Sequence, residues 1–211
     1  MSILITAPYN EAGLSEIAAM FGAVTYKPWK ANGSAYTPEA LIDLLKEAQA
    51  TALITEHDQV TRAVMEAFPA LAFIGVCRGT PSNLDLAAAK EKGIPVFYTP
   101  ARNAQAVVEL LIANVVTLLR KTLPAVEWLE SGKWAAGAHT SYLQFKGFEL
   151  AGKTVGLVGF GAIGRKLANI LKEFPCPICY YDPYYKDANK NDGINDQTAF
   201  HQVDLETLFA K

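Results

Sequence analysis

Along the first hundred positions, short apolar runs alternate with stretches whose apolar residues recur at helical spacing. Runs at 3–6, 24–26, 52–55, 72–76 and 95–98 predict strands. Helical periods fall between them at 15–21, 38–50, 60–67 and 83–92. Thr37 offers a hydroxyl cap with Pro38 at the first helical position, and Gly93 follows the last helix where a left-handed stop is wanted. Strands alternating with helices imply βαβ units and a mostly parallel sheet, so 1–100 reads as an α/β domain. Its ligand surface is expected at the carboxyl ends of the strands. The pattern then changes. Residues 104–121 predict one long, strongly apolar helix, 124–132 a shorter one carrying Trp128, and 133–149 an irregular stretch rich in glycine and aromatics. That much apolar surface exceeds what one small domain needs, and it points to packing between domains or across a dimer.

A second rhythm begins at 155–158, an apolar strand that runs into Gly159-Phe160-Gly161-Ala162-Ile163-Gly164. A helical pattern covers 162–173, and a second strand at 178–181 ends on Asp182. G-x-G-x-x-G alone is a weak signal. Set between strand and helix, with an acid closing the next strand, it is a dinucleotide-binding fingerprint. Gly159 permits the tight turn, Gly161 lets backbone approach a pyrophosphate, and Gly164 lets the helix pack on the strand. The N–H groups of Ala162 and Ile163 head the helix, where free donors and the positive dipole end favour an anion. Asp182 can accept from a ribose hydroxyl. A 2′-phosphate there would face a carboxylate, and the one cation expected nearby is Lys186, so NAD is favoured over NADP.

Composition adds exclusions. Hydrophobic residues make up 51% and charged residues 19%, an ordinary globular balance. The net charge of −2 with scattered bases argues against nucleic acid or an anionic membrane as partner. Residues 1–8 read as a first strand rather than a signal peptide, and the longest apolar stretch, 106–119, contains Glu109 and Asn114 and is too short to span a bilayer. Three cysteines, an odd number, indicate a reduced, cytoplasmic setting. Cys176-Pro-Ile-Cys179 leads into a strand instead of opening a helix, so it reads as core, with no metal site.

Three blocks in order resemble the D-isomer-specific 2-hydroxyacid dehydrogenase family: residues 72–96, residues 99–109, and residues 149–164 followed by Asp182-Pro183. The resemblance implies a flavodoxin-like substrate domain over 1–100. Over 101–211 it implies the first βαβ part of a Rossmann NAD-binding domain, with an interdomain or dimer helix at 104–121 and a linker at 122–150. It implies NAD-linked interconversion of 2-hydroxy and 2-keto acids by a cytoplasmic homodimer joined through 104–150. Backbone amides at Arg78-Gly79-Thr80 would take the substrate carboxylate. Arg78 departs from the usual family loop; it could add a cation for an anionic group or form a salt bridge behind the loop. Asn103 would touch substrate or cofactor, or cap the helix beginning at Ala104. The family's catalytic arginine and its histidine–glutamate pair match nothing before Lys211, and His57, His139 and His201 lack the family context. No catalytic residue is therefore expected within these residues, and the chain is expected to be a truncated front part, inactive alone. The alternative is a non-catalytic, NAD-responsive binding protein of the corepressor kind.

Overall fold

A computed structural model describes residues 1–136, 138–185 and 200–210. The chain divides into two compact units, Met1–Arg102 and Asn103–Lys211.

The first unit holds five parallel strands: β1 (Ser2–Ile5), β2 (Ala23–Tyr26), β3 (Ala52–Thr55), β4 (Ile74–Val76) and β5 (Val96–Tyr98), in the order β2-β1-β3-β4-β5. That order is the flavodoxin-like one, as expected. Five helices connect them: α1 (Glu11–Phe21), α2 (Trp29–Asn32), α3 (Pro38–Glu47), α4 (Arg62–Ala67) and α5 (Leu86–Glu91). The period-2 alternation of the strands sorts the core into two layers. Leu4, Leu53, Ile74 and Val76 pack with Leu41, Leu45, Val64 and Met65 of α3 and α4. Ile3, Ile5, Ala52 and Ile54 pack instead with Ile17 of α1. Each buried leucine, isoleucine, valine or methionine among them contributes about 1.5–3 kcal/mol relative to exposure. The strand order reverses between β1 and β3, so their carboxyl ends open a crevice.

Several helices begin or end elsewhere than their apolar spacing predicts, because polar caps override it. Helix α1 starts at Glu11, a turn before the predicted position, since the Asn10 side chain accepts from the Gly13 N–H at 2.7 Å. Helix α4 starts at Arg62 because Val60 forms a parallel bridge with Leu84. Helix α5 starts at Leu86, where Asp85 accepts from the Ala88 N–H at 2.9 Å. Helix α3 stops at Glu47, and Gln49 turns left-handed at φ 46°. The short helix α2 had no apolar period to announce it.

The second unit contains α6 (Ala104–Leu119), α7 (Thr122–Glu130), a 3-10 turn (Lys133–Ala136), α8 (Ala138–Gln144), β6 (Val155–Val158), α9 (Ala162–Leu171), β7 (Ile178–Tyr181), β8 (Phe200–Gln202) and α10 (Leu205–Ala210). Its three strands are parallel in the order β6-β7-β8. Two sequence expectations are corrected here. The stretch 133–149 is not simply irregular, because the 3-10 turn and α8 lie within it. Two of its aromatics join a cluster: buried Trp128 meets Trp134 and Phe145 edge-on, with ring centroids 6.2 and 5.6 Å away. The described part of the nucleotide unit also has three strands, not two. Strand β8 escapes the apolar signal because only Phe200 of its residues is buried. Cys176 and Cys179 are buried and unpaired, in keeping with a core role.

Candidate functional site

Strand β6 delivers the chain into the glycine turn. Gly159 has φ +97°, a left-handed conformation in which glycine is favoured. Gly161 caps α9 from an extended conformation, and a Cβ built there would meet nothing within 4 Å. The open space fits close approach of a bulky anion. A Cβ on Gly164 would overlap the Gly159 carbonyl oxygen, so this glycine sets how closely α9 sits on the turn. No side chain caps α9, which leaves the first-turn N–H groups, Ala162 and Ile163 among them, facing outward from the helix end. These features fit a dinucleotide pyrophosphate.

Asp182, at the end of β7, is already engaged. Its Oδ2 accepts from the Phe160 N–H at 2.7 Å, and its Oδ1 accepts from the N–H groups of Tyr184 and Tyr185 at 2.8 and 3.1 Å. The Phe160 bond foremost, then that of Tyr184, holds the carboxyl below the usual aspartate range. Each carboxylate oxygen offers two acceptor directions, so Oδ2 can accept a further donor beside the Phe160 N–H. Beneath the turn, Phe160 stacks on Tyr180 at 3.8 Å between centroids and meets Tyr185 and Phe200 edge-on. The expected neighbouring cation, Lys186, lies outside the described residues. Sequence reasoning missed Arg165, whose guanidinium lies over the Tyr185 ring at 5.7 Å and whose charge further favours ionised Asp182. Its position in the first turn of the motif helix was the available signal.

In the first unit, the 78–80 loop follows β4. The Arg78 carbonyl accepts from the Thr99 N–H and hydroxyl, at 3.0 and 3.3 Å. Gly79 and Thr80 are exposed. Among the described residues Arg78 makes no salt bridge, so the structural pairing behind the loop is not seen. Asn103 is exposed and its side chain makes no cap bond to α6, so the capping alternative is not seen either. Arg78, Gly79 and Thr80 lie in the first unit, while Asn103, Gly159, Gly161, Ala162, Ile163, Gly164 and Asp182 lie in the second.

Near this loop stands a polar cluster that the sequence did not single out. Glu56 is 8% exposed, at the end of β3. Its Oε1 accepts from Arg102 Nη2 at 2.6 Å and its Oε2 from Trp29 Nε1 at 3.0 Å. His57 Nε2 lies 3.8 Å from the same Oε2 and packs edge-on against Trp29. Asp58 is fully buried and accepts from Thr6 Oγ1, Thr55 Oγ1 and the Tyr36 N–H at 2.5, 2.7 and 2.8 Å. Tyr9 and Cys77 approach at 3.9 Å; burial, with Cys77 beside it, pushes the Tyr9 phenol up to about 12. These groups are consecutive or nearly so after strands, which is where a switch-point crevice collects side chains.

A doubly wound parallel unit joined to a glycine-turn nucleotide unit defines the class: a two-unit dinucleotide-binding α/β protein. The family model for the D-isomer specific 2-hydroxyacid dehydrogenase NAD binding domain matches residues 112–211. The Bacillus subtilis protein YoaD, which carries a 2-hydroxyacid dehydrogenase name, is 50% identical over 100% of this chain and 59% of its own length. Glyoxylate reductase of Thermococcus litoralis is 31% identical over 98% of this chain and 60% of its own. The solved 2-hydroxyacid dehydrogenase of Ketogulonicigenium vulgare superposes with a TM-score of 0.71 at 28% identity, covering 96% of this chain and 58% of that one. Residues 112–211 thus match the NAD binding domain of the D-isomer-specific 2-hydroxyacid dehydrogenases, and the chain is similar over nearly its whole length to proteins of that family. It spans about three-fifths of the length of these relatives.

Proposed function

We propose that the protein is an NAD-dependent oxidoreductase interconverting 2-hydroxy acids and 2-keto acids. The observation that carries this reading is the glycine turn, with its left-handed Gly159, open Gly161 and uncapped α9, in a family whose nucleotide domain binds NAD. NAD supplies the hydride acceptor or donor when bound. Gly161 and the N–H groups of Ala162 and Ile163 hold the pyrophosphate, and Gly164 keeps α9 close enough to present them. Asp182 takes a ribose hydroxyl on its remaining Oδ2 acceptor and fastens the turn through Phe160. NAD is preferred over NADP, but Arg165 near the carboxylate keeps that preference modest. The first unit is the substrate domain, and the loop amides at Arg78, Gly79 and Thr80 hold the acid's carboxylate; Asn103 touches substrate or cofactor.

The protein works as a homodimer joined through 104–150. Exposed Leu110, Leu118, Tyr142, Leu143 and Phe148 support that reading, because a surface so apolar favours burial. The three unpaired thiols support a reducing, cytoplasmic compartment. NADH fluorescence titration tests the nucleotide reading. The chain should bind NADH more tightly than NADPH, and Gly161→Val should bind neither. If the chain ignores NADH, or Gly161→Val binds it equally well, the reading fails.

A further inference from the structure

We infer that the cleft beside the head of α1 in the first unit is a subsite for a second anionic group on the substrate, anchored by Arg102. The inference deepens the reading of the protein as an oxidoreductase of 2-hydroxy acids and rests on it. The cleft has a volume of about 460 Å³ and is lined by Tyr9, Asn10, Glu16, Cys77, Thr99 and Arg102 among others. It adjoins the carboxylate loop, since Cys77 precedes Arg78 and the Thr99 N–H donates to the Arg78 carbonyl.

Arg102 is held in place from behind. The Glu56 side chain is 11% exposed and the Arg102 side chain 49%. Glu56 is itself fixed by the Trp29 indole, so the carboxylate cannot swing away with its partner. Arg102 uses one donor on Glu56, among the described residues, and a guanidinium has five in a rigid fork. Its remaining donors suit the paired oxygens of a carboxylate or phosphate. The pair is enclosed on the Glu56 side and open on the Arg102 side, so the outer donors of the guanidinium remain accessible. As a positioning device it aims a fork into a cleft beside the loop expected to take the first carboxylate. Glu16 also lines the cleft and repels an anion on its own side, so the anion seats against Arg102. Glu16 and Asn10 suit hydroxyl groups between the two ends of the ligand. The ligand class is therefore a 2-hydroxy or 2-keto acid with a distal phosphate or second carboxylate.

The test is calorimetric titration of the chain with inorganic phosphate, D-malate and D-lactate, after saturation with ADP-ribose to occupy the head of α9. The expected result is that phosphate or malate binds at least about tenfold more tightly than lactate, the size expected for a charged hydrogen bond. The stronger of those two arms identifies the distal group. Arg102→Gln should erase this advantage while leaving lactate and ADP-ribose binding unchanged, and Arg102→Lys should restore part of it. Unchanged ADP-ribose binding also shows that the variant is folded. Equal binding of all three acids, or an advantage that survives Arg102→Gln, overturns the proposal. The ADP-ribose titration, made first, judges the NAD reading separately. If it fails, the comparison of parent with Arg102→Gln is made without it and still decides the role of Arg102.

Discussion

Two aspartates after strands do different work. Asp58 is fully buried and gathers Thr6, Thr55 and the Tyr36 N–H, tying the ends of β1 and β3 to the loop before α3. Asp58→Ala leaves those donors without their acceptor in a dry site, and should destabilise the first unit by about 2–4 kcal/mol in urea unfolding. A loss under about 1 kcal/mol would show that the network is dispensable. Asp182 is a titration matter. Its folded pKa is depressed, first by the Phe160 N–H, so its contribution is complete above the unfolded carboxylate value of about 4 and is lost as pH falls through the lower folded value. Asp204, depressed by its bond from the Thr207 N–H, acts in the same window. Asp182→Asn should therefore flatten, without abolishing, the acid dependence of second-unit stability below about pH 5. Unfolding curves of parent and variant with equal acid slopes would contradict this. Asp182 was legible because it closes a strand after a glycine motif. Asp58, Glu56 and Arg102 were not, because apart from Thr55 the partners that hydrogen-bond to them lie 22 to 52 positions away and only the fold brings them together.

At the scale of elements, apolar bursts located every strand of the first sheet, since buried parallel strands are apolar throughout. They missed β8, which shows one buried face residue and polar neighbours. Helix ends were misplaced where Asn10 and Asp85 supply caps, a local chemistry stronger than apolar spacing. The 133–149 stretch misled for another reason: Trp134 and Phe145 signal a cluster around Trp128, not irregular backbone. Helix α6 has Ala104 and Val108 buried, while Leu118 is 74% exposed, as is Leu143 of α8. If 104–150 joins two copies, Leu118→Glu combined with Leu143→Glu should convert a sedimenting dimer into a monomer. A parent that sediments as a monomer at micromolar concentration, or a double variant that remains dimeric, would contradict the proposed homodimer.

For the whole molecule, each unit is an α/β body that collects its polar groups at the carboxyl ends of parallel strands. The sequence pattern conveyed that architecture because βαβ units are written locally, in runs and gaps. The crevice proposed to bind the acid was only half conveyed: its loop could be read from resemblance, whereas its charged cluster required strand order. The glycine turn of the second unit is proposed to hold the adenosine–pyrophosphate part of NAD. Amide-resolved NMR titration with ADP-ribose tests it most directly. Large, saturable shifts are expected, confined to the N–H groups of Phe160 through Arg165 and around Asp182, with the amides of Cys77 through Thr80 unmoved. Shifts centred on the first unit, or none at the glycine turn, would contradict it.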